Sequence, residues 1–304
     1  MKNILSMLVL GALGASAAVT PAAPDLSAAA SAARAIVLPE GRPVVLASTQ
    51  EREVLLRLLR DPDAGVRQAA LKSLRGYVGQ TTFARDAVLR VFSDANEETA
   101  VRKEAAKTLS LVSTYNVVHD RLVAMAERGT VQELRVISTK ALYFEAAARS
   151  DVRARLERLL LQDPSPEVRA AAAWGLFKAS HNSAPRDSLA RAAARAASVA
   201  VRVEALKSLW NGMGHSGLRY DVVRLALNAN APAELRKPAI MLLSRGGDYQ
   251  SQQALERLVR TEPDADLRTA AIQAMNPSDE AIARYFHLGR QTQHGTYLDP
   301  LENE

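Results

Sequence analysis

Seven times along this chain an apolar residue followed by arginine opens a helix-like stretch: Val66-Arg67, Val101-Arg102, Leu134-Arg135, Val168-Arg169, Val201-Arg202, Leu235-Arg236 and Leu267-Arg268. The arginines lie 35, 33, 34, 33, 34 and 32 residues apart, a period that belongs to arrays of stacked helical units, not to one globular core. Four residues after each opener stands a small residue: Ala70, Ala105, Ser138, Ala172, Ala205, Ala239 or Ala271. Eight after it stands Leu74, Leu109, Leu142, Leu176, Leu209, Leu243 or Met275. These three positions share one face of an α-helix, and the small middle residue lets a neighbouring helix come close.

Turn and cap chemistry precedes the openers, as in Asp61-Pro62-Asp63, Asp163-Pro164-Ser165-Pro166, Ala231-Pro232 and Glu262-Pro263-Asp264. Proline at the first helical position and acids in the first turn both favour a helix start. Before each of these B helices lies a second amphipathic segment, over residues 51–60, 83–92, 117–126, 152–161, 187–196, 220–227 and 252–260. Ser48-Thr49-Gln50-Glu51 reads as a capping box for the first of these A helices. The unit is helix A, tight turn, helix B, and Pro238 is expected to kink or frustrate the sixth B helix.

The segment from Asp61 to Leu74, with Asp61-Pro62-Asp63-Ala64-Gly65-Val66-Arg67 at its head, resembles the short HEAT-like repeats of phycobilin lyases and bacterial solenoids, and residues 163–176 are nearly as good a copy. The resemblance covers residues 48–275. It implies an all-α, right-handed α-solenoid of about seven helix pairs, closed by a C-terminal capping helix over residues 278–290. The signatures of tetratricopeptide and ankyrin arrays, which share the period, are missing.

Residues 1–17 run in the order basic, apolar, small: Lys2, an apolar stretch over 4–13, then Ala15-Ser16-Ala17. That is the order of a secretory signal peptide, so a periplasmic or secreted location and cleavage after Ala17 are expected. With no cysteine in the chain there is neither a lipid-attachment thiol nor a disulfide framework. Residues 18–47 read as an Ala/Ser/Pro-rich leader, 48–290 as the repeat array and 291–304 as a polar tail, acidic at its tip and frayed.

Catalytic and cofactor signals are weak. The stretch from Gly212 to Gly217 fits a dinucleotide fingerprint by letter, but it follows a B helix where that motif requires a strand, and reads as a helix cap and loop. The five histidines, His119, His181, His215, His287 and His294, lack metal-type spacing, and His119 reads as a solvated helix A position. No catalytic residue, metal or cofactor is expected. The repeated arginines read as a structural ladder between adjacent repeats, paired with the acids just before them: Asp63, Glu98, Glu133, Glu167, Glu234 and Asp266. The fifth repeat, where Ser198 to Ala200 lack an acid, reads as the weakest joint.

At roughly 100° per residue, positions 2, 6 and 9 after each opener fall opposite the core stripe and are expected to line the concave side. They contribute Lys72, Lys103, Lys107, Lys140, Lys207 and Lys237 with Arg75, and no acid. The central repeats add Tyr143, Trp174, Phe177 and Trp210, and the sixth adds Met241. An aromatic left in water forgoes roughly 1.5–3 kcal/mol of burial, which favours a partner that covers it. The expected partner-binding set is therefore Lys72, Lys103, Lys107, Lys140, Tyr143, Trp174, Phe177, Lys207, Trp210 and Met241, and the expected partner an extended protein segment with acidic and apolar residues. Two other readings stay open: the tryptophans seal repeat junctions, or the groove takes a polyanion such as an anionic glycan. Nucleic acid is disfavoured by the export signal, and a lyase-type enzyme has only the family resemblance behind it.

Overall fold

A computed structural model of the chain describes residues 49–278 together with Ile282, Tyr285, Phe286 and Leu301. The leader, Ser48, His287, His294 and most of the tail lie outside the described residues, and with them the signal peptide and half of the capping box. Among the described residues there is no strand, and no helix is long and apolar enough to cross a membrane.

The elements are α1 (Thr49–Leu58), α2 (Ala64–Leu74), α3 (Thr82–Ser93), α4 (Thr99–Ser110), α5 (Asn116–Arg128), α6 (Gln132–Ala141), the single turn α7 (Tyr143–Ala146), α8 (Ser150–Gln162), α9 (Pro166–Gly175), α10 (Ser183–Arg195), α11 (Val199–Ser208), α12 (Ser216–Leu227), α13 (Ala233–Gly246), α14 (Tyr249–Thr261) and α15 (Ala265–Met275). Without α7 they form seven A–B pairs of an α-solenoid. Each B helix packs on its own A helix and on the B helices before and after it, whereas successive A helices meet sparsely. The B layer is thus the tighter, inner layer.

Local chemistry explains the helix starts. Asp63 Oδ1 accepts from Val66 N at 3.1 Å, Ser165 Oγ from Val168 N at 3.2 Å with Pro166 at the first helical position, and Asp264 Oδ1 from Leu267 N at 3.1 Å. Each satisfies a backbone donor that the helix itself leaves unpaired. The A helices begin earlier than their apolar patterns do: α10 starts at Ser183 and takes Pro185 into its first turn, where a missing N–H costs nothing. The sixth B helix, α13, continues through Pro238 and ends at Gly247, whose φ of 61° is left-handed, a conformation glycine adopts without strain.

The residues at positions 0, 4 and 8 form the buried stripe, with two exceptions: Val66 is only half-buried and Met275 is exposed. These open the first B helix and close the last, where one neighbour is absent from the described array.

The arginine ladder exists, but it draws mainly on acids other than those expected; of the expected ones Glu98 takes part, 3.5 Å from Arg67. Arg102, Arg135, Arg169, Arg202 and Arg236 each donate from Nε to a carbonyl near the end of the preceding A helix: Phe92, Ala126, Leu160, Ala193 and Ala226, at 2.9–3.2 Å. A cation there meets both the orphan carbonyls and the negative end of the helix dipole. The acid comes from the A–B turn of the next repeat: Arg67 bonds Glu97, Arg135 bonds Asp163 and Arg236 bonds Glu262. Asp163 and Glu262 are the C-caps of their A helices. The corresponding C-caps Gly129, Ala196 and Asn228 carry no acid, and among the described residues Arg102, Arg169 and Arg202 form no ion pair. The weak joints therefore follow from what the next repeat lacks, and the missing acid before Arg202 matters to Arg169.

Candidate functional site

The inner face was expected to be a strip of lysines around exposed rings. Lys72 and Lys237 are exposed, and Lys103, Lys140, Lys207 and Trp210 are half-buried. Tyr143, Trp174, Phe177, Met241 and Lys107 are buried, with Tyr143 at 2% and Trp174 at 3% exposure, so they are not the exposed anchors the sequence led us to expect. The reason is geometric: a B helix here is covered on three sides, by its A helix and by both neighbouring B helices. The solvent face is narrower than a one-stripe helical wheel implies, and position 6, at about 240°, turns into the seam between B helices.

Position 9 fails for a second reason. Leu142, Leu176 and Leu209 end their helices in αR conformation with ψ within a few degrees of zero, so the next residue starts a new turn: α7 at Tyr143, and 3-10 helices at Phe177–Ala179 and Trp210–Gly212. The rings swing into the repeat junction. Tyr143 lies 4.6 Å from Trp174 and 6.4 Å from Phe177 between ring centroids, and Lys178 Nζ sits 4.8 Å from the rings of both Tyr143 and Phe144. Burial pulls the Lys178 ammonium below its ordinary pKa. This cluster seals the third repeat against the fourth.

His119 is also corrected. It is buried, with Nδ1 2.9 Å from Oε2 of the fully buried Glu145, while Arg149 bridges Glu145 at 3.2 Å and Asp151 at 2.8 Å. Burial holds the Glu145 carboxyl above its usual range against the pull of His119 and Arg149. Arg149 holds Asp151 down to about 2. The network ties α5 to the start of α8 and has the form of a joint. Among the described residues no group of His, Asp and Glu could hold a metal ion. The Gly212 to Gly217 stretch joins a 3-10 turn to α12, with His215 as its N-cap.

The inner face holds an open pocket of ≈ 280 Å³ across three successive B helices, α6, α9 and α11. Val136, Ala170, Ala171 and Ala200 form its apolar floor, and Lys140, Glu167 and Glu204 stand at its edges. Lys140 Nζ also lies 5.8 Å from the Trp174 ring, and Lys103 is paired with Glu133 at 3.1 Å. The face is therefore mixed in sign, not purely basic. Glu204 escaped the sequence reading because it occupies position 3 of its repeat, outside the three positions taken as solvent-facing. The small residues at Ala170 and Ala200 were the available signal, since a concavity needs side chains that do not fill it.

Toward the C-terminal repeats the same face is occupied. Trp210 packs on Phe286 with ring centroids 4.3 Å apart, Tyr285 meets Phe286 edge-on at 5.0 Å, and Lys207 Nζ lies 5.2 Å over the Tyr285 ring. Leu301, expected in a frayed tail, is buried.

Models of HEAT repeats match residues 51–143 and 186–276, and a further HEAT-repeat model matches residues 154–178. No curated protein matches the chain. Among solved structures, the complex of CpcE and CpcF of phycocyanin lyase from Nostoc sp. PCC7120 is 16% identical, with a TM-score of 0.43 over 81% of this chain and 97% of that one. Human deoxyhypusine hydroxylase in complex with glycerol is 17% identical, with a TM-score of 0.36 over 75% and 84%. A computationally designed armadillo repeat protein for modular peptide recognition is 17% identical, with a TM-score of 0.29 over 73% and 99%.

Proposed function

The chain belongs to the HEAT-repeat family, and we propose that it is an exported, non-enzymatic scaffold whose inner face binds an extended protein segment with apolar and acidic residues. The observation that carries this reading is the open pocket on α6, α9 and α11, apolar at its floor and edged by Lys140, Glu167 and Glu204. An apolar floor rewards side chains removed from water, and a rim lysine steers a partner of opposite charge. Outside the pocket, Lys72 and Lys237 stand exposed on the same face and supply the positive charge that favours acidic residues in the partner. The residues that form this site are Lys140, Val136, Ala170, Glu204, Lys207 and Trp210, with Lys72 and Lys103 at the N-terminal end of the face.

Export rests on the order of residues 1–17. Mass spectrometry of envelope and medium fractions is expected to find an N-terminus near Ala18, and recovery only in the cytosol with Met1 or Lys2 retained counts against it.

The binding reading is tested by selecting peptides from a displayed library on the full chain and then measuring the selected peptides on Ala170→Arg, since that substitution fills the pocket. Selected peptides are expected to combine apolar and acidic residues, to lose binding by about tenfold or more on Ala170→Arg, and to depend weakly on salt. Peptides indifferent to the substitution remove the pocket from the site. Binding confined to heparin-like polyanions, falling steeply with salt, replaces this reading with a polyanion-binding one.

A further inference from the structure

We propose that the turn of chain carrying Ile282, Tyr285 and Phe286 is a resident, displaceable occupant of the inner face, and that the Trp210–Lys207 surface takes a helical peptide carrying adjacent aromatic residues, of which Tyr285-Phe286 is the built-in example. This rests on the reading of the inner face as a protein-binding surface and names the chemistry of its partner.

The position of Phe286 carries the argument. The last B helix ends at Met275, in the seventh repeat, whereas Trp210 follows α11 in the fifth. A segment that merely closed the array would cover α14 and α15. Instead Phe286, 1% exposed, stacks on Trp210, two repeats back. Ile282 N bonds Ser278 O at 3.1 Å and Phe286 N bonds Ile282 O at 3.0 Å, the helical i to i−4 pattern. Ile282 and Phe286 thus share a face, and both are buried.

Trp210 is itself only half-buried, unlike Trp174. Arg245 Cζ lies 5.8 Å over its ring and Lys207 Nζ 5.2 Å over Tyr285, so two cations flank a slot holding two rings, an arrangement that favours aromatic over aliphatic occupants. The slot adjoins the open pocket. Glu204 lines the pocket, and the Tyr285 phenol is raised above its usual range by burial and then by the charge of Glu204. A ligand entering along the face meets the resident segment next, and a site free for only a fraction of the time binds more weakly by that fraction.

The probe is a labelled synthetic peptide of residues 278–290, titrated by fluorescence anisotropy against the full chain and its Phe286→Ala variant, with circular dichroism and thermal melts in parallel. The variant is expected to stay helical, to keep a cooperative melt below that of the parent, as loss of a buried ring requires, and to bind the peptide about tenfold or more tightly than the parent does. Adding Trp210→Ala abolishes the gain, as does replacing both aromatic residues of the peptide by alanine. Equal or absent binding in Phe286→Ala overturns the proposal, and so does loss of its cooperative melt, because a segment the fold cannot lose is no displaceable ligand. If library peptides still respond to Ala170→Arg while the 278–290 peptide ignores Trp210, this inference falls alone. If neither responds, the inner-face reading falls with it.

Discussion

Arg236 and Glu262 form the most enclosed ion pair of the arginine ladder among the described residues. Both side chains are less than a tenth exposed, and the guanidinium bonds both carboxylate oxygens while its Nε holds the Ala226 carbonyl at 3.2 Å. One residue thereby links the end of its own A helix to the A–B turn of the next repeat. Removing either partner leaves the other charge buried, so Arg236→Ala and Glu262→Ala are each expected to cost about 3–5 kcal/mol in urea unfolding. Arg202→Ala, which breaks only the carbonyl bond to Ala193, is expected to cost about 1–2 kcal/mol. Equal losses at the two arginines count against the acid as the element that distinguishes the joints.

The ladder also predicts a gain. Ala196 caps α10 where Asp163 caps α8, leaving Arg169 with its Leu160 carbonyl. Ala196→Asp supplies the missing acid and is expected to stabilise the protein by about 1 kcal/mol. The gain should vanish when Arg169→Ala is added. A gain that survives the second substitution assigns it to something other than this pair.

The two tryptophans are expected to divide. Trp174 fills the seam beside Tyr143, so Trp174→Ala should cost about 3–5 kcal/mol and lower the melting temperature sharply. Trp210 loses mainly its stack with Phe286 and should cost about 1 kcal/mol. Similar melts for the two variants contradict the burial difference.

Acid should weaken the joints. Hydrogen bonding from Arg236 holds Glu262 below its ordinary pKa, and Arg149 holds Asp151 at about 2. Folded values below unfolded ones mean that these carboxylates contribute stability above roughly pH 4–4.5, and that it is lost as pH falls toward 2. The urea midpoint is expected to be flat for these groups above pH 5 and to drop below pH 4. Glu262→Gln should flatten that drop, and an unchanged acid limb rules Glu262 out as a contributor.

Sequence alone determined the helix pairs, their register and the buried stripe, because these depend on spacings within about ten residues: Val168, Ala172 and Leu176 fall on one helix face whatever surrounds them. The presence of the arginine ladder was legible for the same reason, since each arginine stands at one fixed place in its repeat. Three things were decided only by the tertiary structure. Trp174 and Tyr143 are buried because a second B helix closes over a side that a helical wheel leaves in water. Arg135 pairs with Asp163, not Glu133, because the guanidinium reaches across the joint to the C-cap of the next A helix. Phe286 lies on Trp210, far away in sequence, and no periodicity of 3.6 or 34 residues encodes a contact that a single chain end makes once.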